Sequence, residues 1–249
     1  MAAVLETRSL CKSFGALTVA DKINFRLEPG ARHALIGPNG AGKTTFVNML
    51  MGQLAPSSGQ ILLAGEDVTR VPQSARVRRG LGRTFQVTTL FRNLPLLDNV
   101  ALGIAEREGV SVRMWKPASR HQEIKDEAMT YLSALGIADE ADARVADLPY
   151  GKQRLVEIAI ALGLKPSVLL LDEPAAGVPS LESARILEVL DRLPAEIAIL
   201  IIEHDMELVF RFARRITVLV QGQVLCEGTP AEISADRRVR EVYLGEGHG

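Results

Sequence analysis

The sequence is poor in long hydrophobic stretches. Its longest unbroken apolar run, Ile197 to Ile202, falls far short of the roughly twenty residues that a membrane-spanning helix needs, so no bilayer crossing is expected. Cysteine is scarce: Cys11 and Cys226 are the only two among 249 residues, too few for a disulfide framework and in keeping with a reducing compartment. The four histidines form no metal-ligand cluster. An excess of charge of either sign is missing too, with 29 Lys+Arg against 30 Asp+Glu and a formal net charge of −1. There is thus no global basic field to attract nucleic acid and no acidic bias towards disorder. A charged ligand must be met by local groups. The opening MAAVLETRSL has no basic segment followed by an apolar core, so no secretory signal is expected and a cytoplasmic location is. Repeats and low-complexity tracts are absent as well. What is there, 47% hydrophobic and 24% charged residues, is ordinary globular composition with enough length to bury a sizeable core.

The order of apolar runs predicts an α/β fold. Leu5 to Leu10 and Ile23 to Leu27 read as short strands around a Phe14-Gly15 turn, and Ile61 to Leu63 adds another before Gly65, together a small antiparallel sheet. Ala34 to Ile36, Val168 to Leu171 and Ile197 to Ile202 are instead continuous, the mark of parallel strands buried on both faces. Helical patterns at Thr44 to Leu50 and Leu181 to Leu193 follow strands, as in α/β folds, where ligands gather at the carboxyl ends of the strands. Residues 87–162 show no convincing strand; Ile124, Ala128, Tyr131, Leu132 and Leu135 recur at helical spacing, which predicts a helical lobe. One domain over 1–249 is expected. Residues 1–86 and 163–249 would form its phosphate-loop core with the antiparallel β subdomain, and 87–162 the inserted lobe.

Three strand ends carry the chemistry. Gly37-Pro38-Asn39-Gly40-Ala41-Gly42-Lys43-Thr44 lies between a buried strand and a helix, the setting a phosphate loop requires. Its glycines let successive N–H groups turn onto phosphate oxygens, and the helix amino end adds a positive dipole. Lys43 supplies a point charge and Thr44 a hydroxyl for magnesium, with Thr45 beside them in the binding set. Asp172 and Glu173 end the second strand, where a metal carboxylate and a general base for the attacking water are needed. The third strand ends in Glu203-His204-Asp205, which points at the same edge.

These strings, in this order and over essentially the whole chain, resemble the nucleotide-binding subunits of ATP-binding cassette transporters. Arg83-Thr84-Phe85-Gln86 resembles the family's glutamine segment, which implies that Gln86 reaches metal and water and links to membrane subunits. Leu148-Pro149-Tyr150-Gly151-Lys152-Gln153-Arg154 looks like the family signature, so Tyr150, Gly151, Lys152 and Gln153 are expected at a partner's nucleotide. Phe14 stands where the family sets a ring against adenine, and His204 where it sets the histidine that contacts the γ-phosphate. The resemblance thus implies ATP and Mg2+ as cofactors, with Glu173, His204 and Gln86 catalytic and Thr44, Gln86 and Asp172 at the metal.

Tyr150, Asp172-Glu173-Pro174-Ala175-Ala176-Gly177, Glu203-His204-Asp205-Met206 and the tail Val242-Tyr243-Leu244-Gly245 are similar to the larger ATPase subunit of branched-chain amino acid importers. That implies a second ATPase subunit, two separate transmembrane permease subunits, an extracytoplasmic solute-binding protein and no nucleic acid. The location implied is peripheral, on the cytoplasmic face of the inner membrane. Related importers for other small polar solutes would look much the same, and a soluble cassette ATPase of translation or DNA maintenance, or an ATP-gated module with little turnover, is the alternative. Two positions depart from the pattern. Pro149 replaces the signature serine, and Pro179 replaces the aspartate of the following loop, both groups that the family uses across a dimer. Pro149 is expected in the first turn of a helix, where its missing N–H matters least, and Lys152 to restore a charge near the partner's phosphate.

Overall fold

The computed structural model describes residues 2–84, 90–109 and 118–244. Its elements are β1 (Leu5–Phe14), β2 (Leu17–Leu27), β3 (Arg32–Ile36), α1 (Lys43–Met51), β4 (Ser58–Leu63), β5 (Glu66–Asp67), α2 (Gln73–Arg78), β6 (Leu81–Arg83), α3 (Leu96–Arg107), α4 (Ala118–Ala134), α5 (Tyr150–Gly163), β7 (Val168–Asp172), α6 (Ser180–Asp191), β8 (Ala198–Ile202), α7 (Met206–Phe212), β9 (Arg215–Val220), β10 (Gln223–Gly228), α8 (Pro230–Ala235) and α9 (Arg237–Leu244). One sheet is antiparallel, in the order β2-β1-β4-β5; the other runs β10-β9-β3-β8-β7-β6, with every pair parallel except β10 on β9. The α/β expectation therefore holds, and the three continuous apolar runs are its adjacent strands β3, β8 and β7. Strands β6, β9 and β10 extend the sheet beyond what the apolar runs announce.

Burial explains why those runs are continuous. Every residue of β3, β7 and β8 is buried, and successive side chains point to opposite faces. Leu169, Leu171, Ile199 and Ile201 enter a core shared with α3 to α7, while Val168, Leu170, Leu200 and Ile202 enter one shared with α1 and the antiparallel sheet. The parallel sheet is thus the middle of three layers. In the helical segment Ile124, Ala128, Leu132 and Leu135 are buried and Tyr131 is partly buried against the same core, so the amphipathic stripe belongs to the fold.

Two turns fix the sheet edges. β1 and β2 close through Gly15 at φ 58°, and β9 and β10 through Gln221 at φ 48° and Gly222 at φ 77°, positive values at both central residues that match the twist of a tight hairpin. The second hairpin reaches across the molecule, since Gly222 N–H donates to Ala41 O at 2.9 Å and Asp21 N–H to Gly222 O at 2.8 Å.

The carboxyl end of α1 is held by an unusual group. Arg76 is 1% exposed, and its guanidinium donates to the carbonyls of Met49 (2.7 Å), Leu50 (2.5 Å), Val71 (2.8 Å) and Thr69 (3.0 Å). The terminal carbonyls of a helix have no partners within it, so one cation serves α1 and the loop before α2 together. Burial pulls its pKa down to about 10. Arg76→Met keeps length and apolar contact and orphans these carbonyls. Unfolding in urea should show a loss of about 3 kcal/mol, the scale of several unmet buried acceptors; a loss under about 1 kcal/mol would mean that water takes over the arginine's role.

Candidate active site

The strand ends β3, β7 and β8 lie side by side in the sheet, so the segments that follow them share one edge. After β3, the backbone of Gly37 (φ 155°), Gly40 (φ 75°) and Gly42 (φ 99°) takes values that side chains rarely adopt. Space decides which glycines serve packing. A Cβ on Gly37 would fall 2.1 Å from Leu219 O and one on Gly42 2.6 Å from Val19 O, whereas one on Gly40 would meet nothing within 4 Å. Gly37 and Gly42 thus let the loop press on the β9–β10 hairpin and β2, while Asn39 and Gly40 face outwards, exposed. Pro38 is half-buried and Ala41 buried. Lys43 folds back beneath the loop and donates to the carbonyls of Gly37 and Pro38. Thr44 is exposed at the first turn of α1, with Thr45 half-buried beside it. No side chain caps α1, which leaves its first N–H groups to an anion.

After β7 come two carboxylates in different settings. Asp172 is buried, and its Oδ2 accepts from Arg83 Nη2 at 2.8 Å. Burial pushes its pKa up, and the Arg83 charge opposes that shift. Glu173 stands at φ 47°, a left-handed conformation that costs a non-glycine residue on the order of 1 kcal/mol. Its N–H donates to Ile202 O at 2.9 Å, which ties it to the end of β8. There His204, exposed, sets Nδ1 3.4 Å from Glu173 Oε1 and 3.9 Å from Glu203 Oε2. Glu203 is 2% exposed and accepts the N–H groups of Ala175 (3.4 Å) and His204 (3.3 Å). Burial raises its pKa. It links the loop after β7 to the loop after β8, a role that sequence alone does not assign. The motif Glu203-His204-Asp205 marks it, and Asp205 caps α7 by accepting from Glu207 and Leu208 N–H.

Phe14, at the β1–β2 turn, is 51% exposed, with Lys12 Nζ 4.9 Å from its ring centroid. One ring face thus carries a cation. Gln86 lies outside the described residues. The signature string opens α5, whose N-cap is Pro149. This corrects the expected first-turn position by one residue: Pro149 precedes the helix, and its carbonyl accepts Lys152 N–H at 3.0 Å and Gln153 N–H at 3.1 Å. Pro179 caps α6 in the same way, also without a side-chain bond. Tyr150 packs its ring towards Gly177 and under the Arg154 guanidinium, 5.1 Å from the ring centroid. Gly151 is buried with Glu182 Oε2 against it, and Gln153 donates to Leu148 O at 2.9 Å. Lys152 forms an ion pair with Glu140, so the charge expected to serve a partner's phosphate is partly neutralised within this chain.

The residue types around Lys43 are of the kind that hold a magnesium ion. Among the described residues no three His, Cys, Asp or Glu side chains gather as a metal cage, and phosphate-loop magnesium needs none. It takes a hydroxyl, a carboxylate, phosphate oxygens and water, and Thr44 and Asp172 are groups of those kinds.

An open glycine loop, a lysine beneath it and a carboxylate pair at the next strand end define a phosphate-loop nucleotide-hydrolysing cassette. The chain matches the family described as ABC transporter over residues 20–176, and that described as branched-chain amino acid ATP-binding cassette transporter over residues 223–249. It is 37% identical over 256 residues to the high-affinity branched-chain amino acid transport ATP-binding protein LivG of Escherichia coli (strain K12), covering 98% of both chains. To the lipopolysaccharide export system ATP-binding protein LptB of the same strain it is 32% identical over 245 residues, again covering 98% of each. Among solved structures, the ADP conformation of the ATP-binding cassette MJ1267 superposes with a TM-score of 0.86 at 28% identity, covering 98% of this chain and 100% of that one. The chain therefore belongs to the ABC transporter family, as an ATP-binding domain and an ATPase.

Lys43→Ala should weaken ATP binding by at least about tenfold, the scale of a lost charge-assisted hydrogen bond. Calorimetric titration measures that affinity. The urea midpoint without nucleotide should move little, because the two carbonyls that Lys43 meets belong to its own loop; a collapse in stability with affinity intact would place the nucleotide elsewhere.

Proposed function

We propose that the chain is the ATP-hydrolysing subunit of an importer for branched-chain amino acids or a related small polar solute. The observation that carries the hydrolytic reading is the meeting of Glu173 with His204, 3.4 Å apart, on the edge that holds Lys43 and Asp172. In this reading the loop from Gly37 to Thr45 binds the phosphates of ATP through its N–H groups and Lys43, and the free face of Phe14 receives adenine. Thr44, Asp172 and Gln86 would hold Mg2+, which would neutralise phosphate charge. Glu173 orients a water against the γ-phosphate and takes its proton, giving ADP and phosphate, while His204, beside Glu173, contacts the γ-phosphate.

Import of amino acids is supported by the carboxyl-terminal match at 223–249 and by relatives at 37% and 36% identity named for branched-chain amino acid transport, against 32% for the lipopolysaccharide export protein. No helix among the described residues is long and apolar enough to cross a membrane, so in this reading two permease subunits are separate chains and a solute-binding protein delivers the solute outside. The chain then works at the cytoplasmic face of the membrane. Phe91, Leu94 and Leu102 expose apolar surface at and near α3, a face suited to a membrane subunit.

Glu173→Gln should retain ATP binding and lose about two to four orders of magnitude in hydrolysis, because the amide keeps the shape and cannot take the proton. Steady-state phosphate release by the purified complex tests this, and near-normal turnover would remove Glu173 from its role.

A second ATPase subunit is the other part of the proposal, with the two sites unequal. The signature end of α5 faces a partner's nucleotide in this reading, and Pro149 and Pro179 supply neither hydroxyl nor carboxylate there. If the partner carries an ordinary signature, the site built on Lys43 is the faster one. Glu173→Gln here should then depress transport more than the equivalent change in the partner. Equal losses, or full activity from a homodimer of this chain, would sink the asymmetry.

A further inference from the structure

Arg83 is a residue that the reaction just described does not use, yet it bonds a carboxylate of the site. It ends the edge strand β6 and is almost wholly buried, its side chain 7% exposed. Its Nη2 bonds Asp172 Oδ2 at 2.8 Å, and its Nη1 bonds Asn48 Oδ1 at 3.1 Å and Gln53 Oε1 at 3.0 Å. Asn48 lies on α1 and Gln53 just beyond it, so the guanidinium is clamped between the phosphate-loop helix and the end of β7. Backbone pairing fixes the strand that carries it, through Thr84 N–H to Leu170 O at 3.1 Å. The partner carboxylate is only 5% exposed on its side chain.

A buried carboxylate needs a counter-charge, because an unpaired ion in low dielectric is costly. Asp172 is also the carboxylate that the proposed mechanism gives to the metal, and the inference rests on that reading. Two cations thus converge on one carboxylate. We propose that Arg83 is a built-in counter-cation that occupies Asp172 while no metal is bound and competes with Mg2+ for it, so that it sets the Mg2+ concentration at which the nucleotide is held tightly. When Mg2+ arrives, Asp172 exchanges part or all of its bond to Arg83, and Asn48 and Gln53 keep the guanidinium within reach. When the metal leaves, Arg83 returns to the carboxylate. Arg83 is a positioning residue in this scheme, acting on the metal through Asp172.

The test uses the purified full-length chain, with ATP affinity measured by equilibrium dialysis over a series of buffered free Mg2+ concentrations. Arg83→Gln keeps a hydrogen-bond donor and removes the charge. Its half-saturating Mg2+ should fall by about tenfold, the scale of one charge-assisted hydrogen bond. An unchanged or raised half-saturating Mg2+ in a folded Arg83→Gln protein would overturn the proposal. Asp172→Asn separates this from the underlying reading: it should raise the half-saturating Mg2+ by about tenfold or more, and if that value is unchanged, Asp172 is not the metal carboxylate and both ideas fail. Should Arg83→Gln not fold, the unmodified protein still decides. The arginine guanidinium NMR signal of Arg83 should shift when Mg2+ is added to the ATP-bound chain, and a signal that stays put would overturn the exchange.

Discussion

Desolvated negative charge at one sheet edge is the constraint around which the molecule is arranged. Asp172, Glu173 and Glu203 stand together where strands buried on both faces come to an end, and burial raises the cost of ionising Asp172 and Glu203 in particular. Every other feature of the edge answers that cost. An arginine arrives on the neighbouring strand to meet Asp172, and the loop after β7 turns so that Ala175 N–H meets Glu203. The positive φ of Glu173 belongs to the same turn. Lys43 lies close enough to favour the charged form of Asp172. The edge is in this way held together by bonds within the chain.

Much of this was legible in the sequence because the signals are local. A strand buried on both faces has no polar alternation, so Val168 to Leu171 and Ile197 to Ile202 declare themselves, and the glycine loop before Lys43 names its own backbone. Where the sequence falls silent, the cause is a break in pattern. Thr217 interrupts the apolar run of β9 because its hydroxyl lies 2.8 Å from the buried His33 Nε2 and donates to Glu227 at 3.0 Å. β6 is three residues long with Gly82 at its middle, too short for any period. Neither the Arg83–Asp172 bond nor the Lys152–Glu140 pair could be read, since a contact between distant positions leaves no trace in spacing. The residue types of the site were visible, and the pairings that set their charge were not.

Two kinds of helix start recur. Asp205 and Thr229 cap α7 and α8 with side-chain bonds, the second as a full capping box with Glu232. By contrast α2, α3, α5 and α6 begin behind a proline with no side-chain cap. Proline fixes the extended entry of the chain and leaves the helix's first donors unclaimed. At α2 and α3 that is a matter of local geometry. At α5 and α6, the two starts the family resemblance directs at a neighbour, it leaves backbone N–H groups where the family pattern has a hydroxyl and a carboxylate.

The phosphate loop is assembled from parts that the ribosome makes at very different times. Gly37 and Gly42 belong to the first fifth of the chain, yet the carbonyl of Leu219 and the amide of Gly222, against which the loop sits, are among the last thirty-one residues. Among the described residues the sheet neighbours of β3, which carries the loop, are β8 and β9, and the first of them begins at residue 198. A nascent or truncated chain that ends before the β9–β10 turn has the loop's sequence without its walls. The loop's walls are therefore complete only once the chain has passed the β9–β10 turn, and a ligand that binds the folded site favours the native state by mass action.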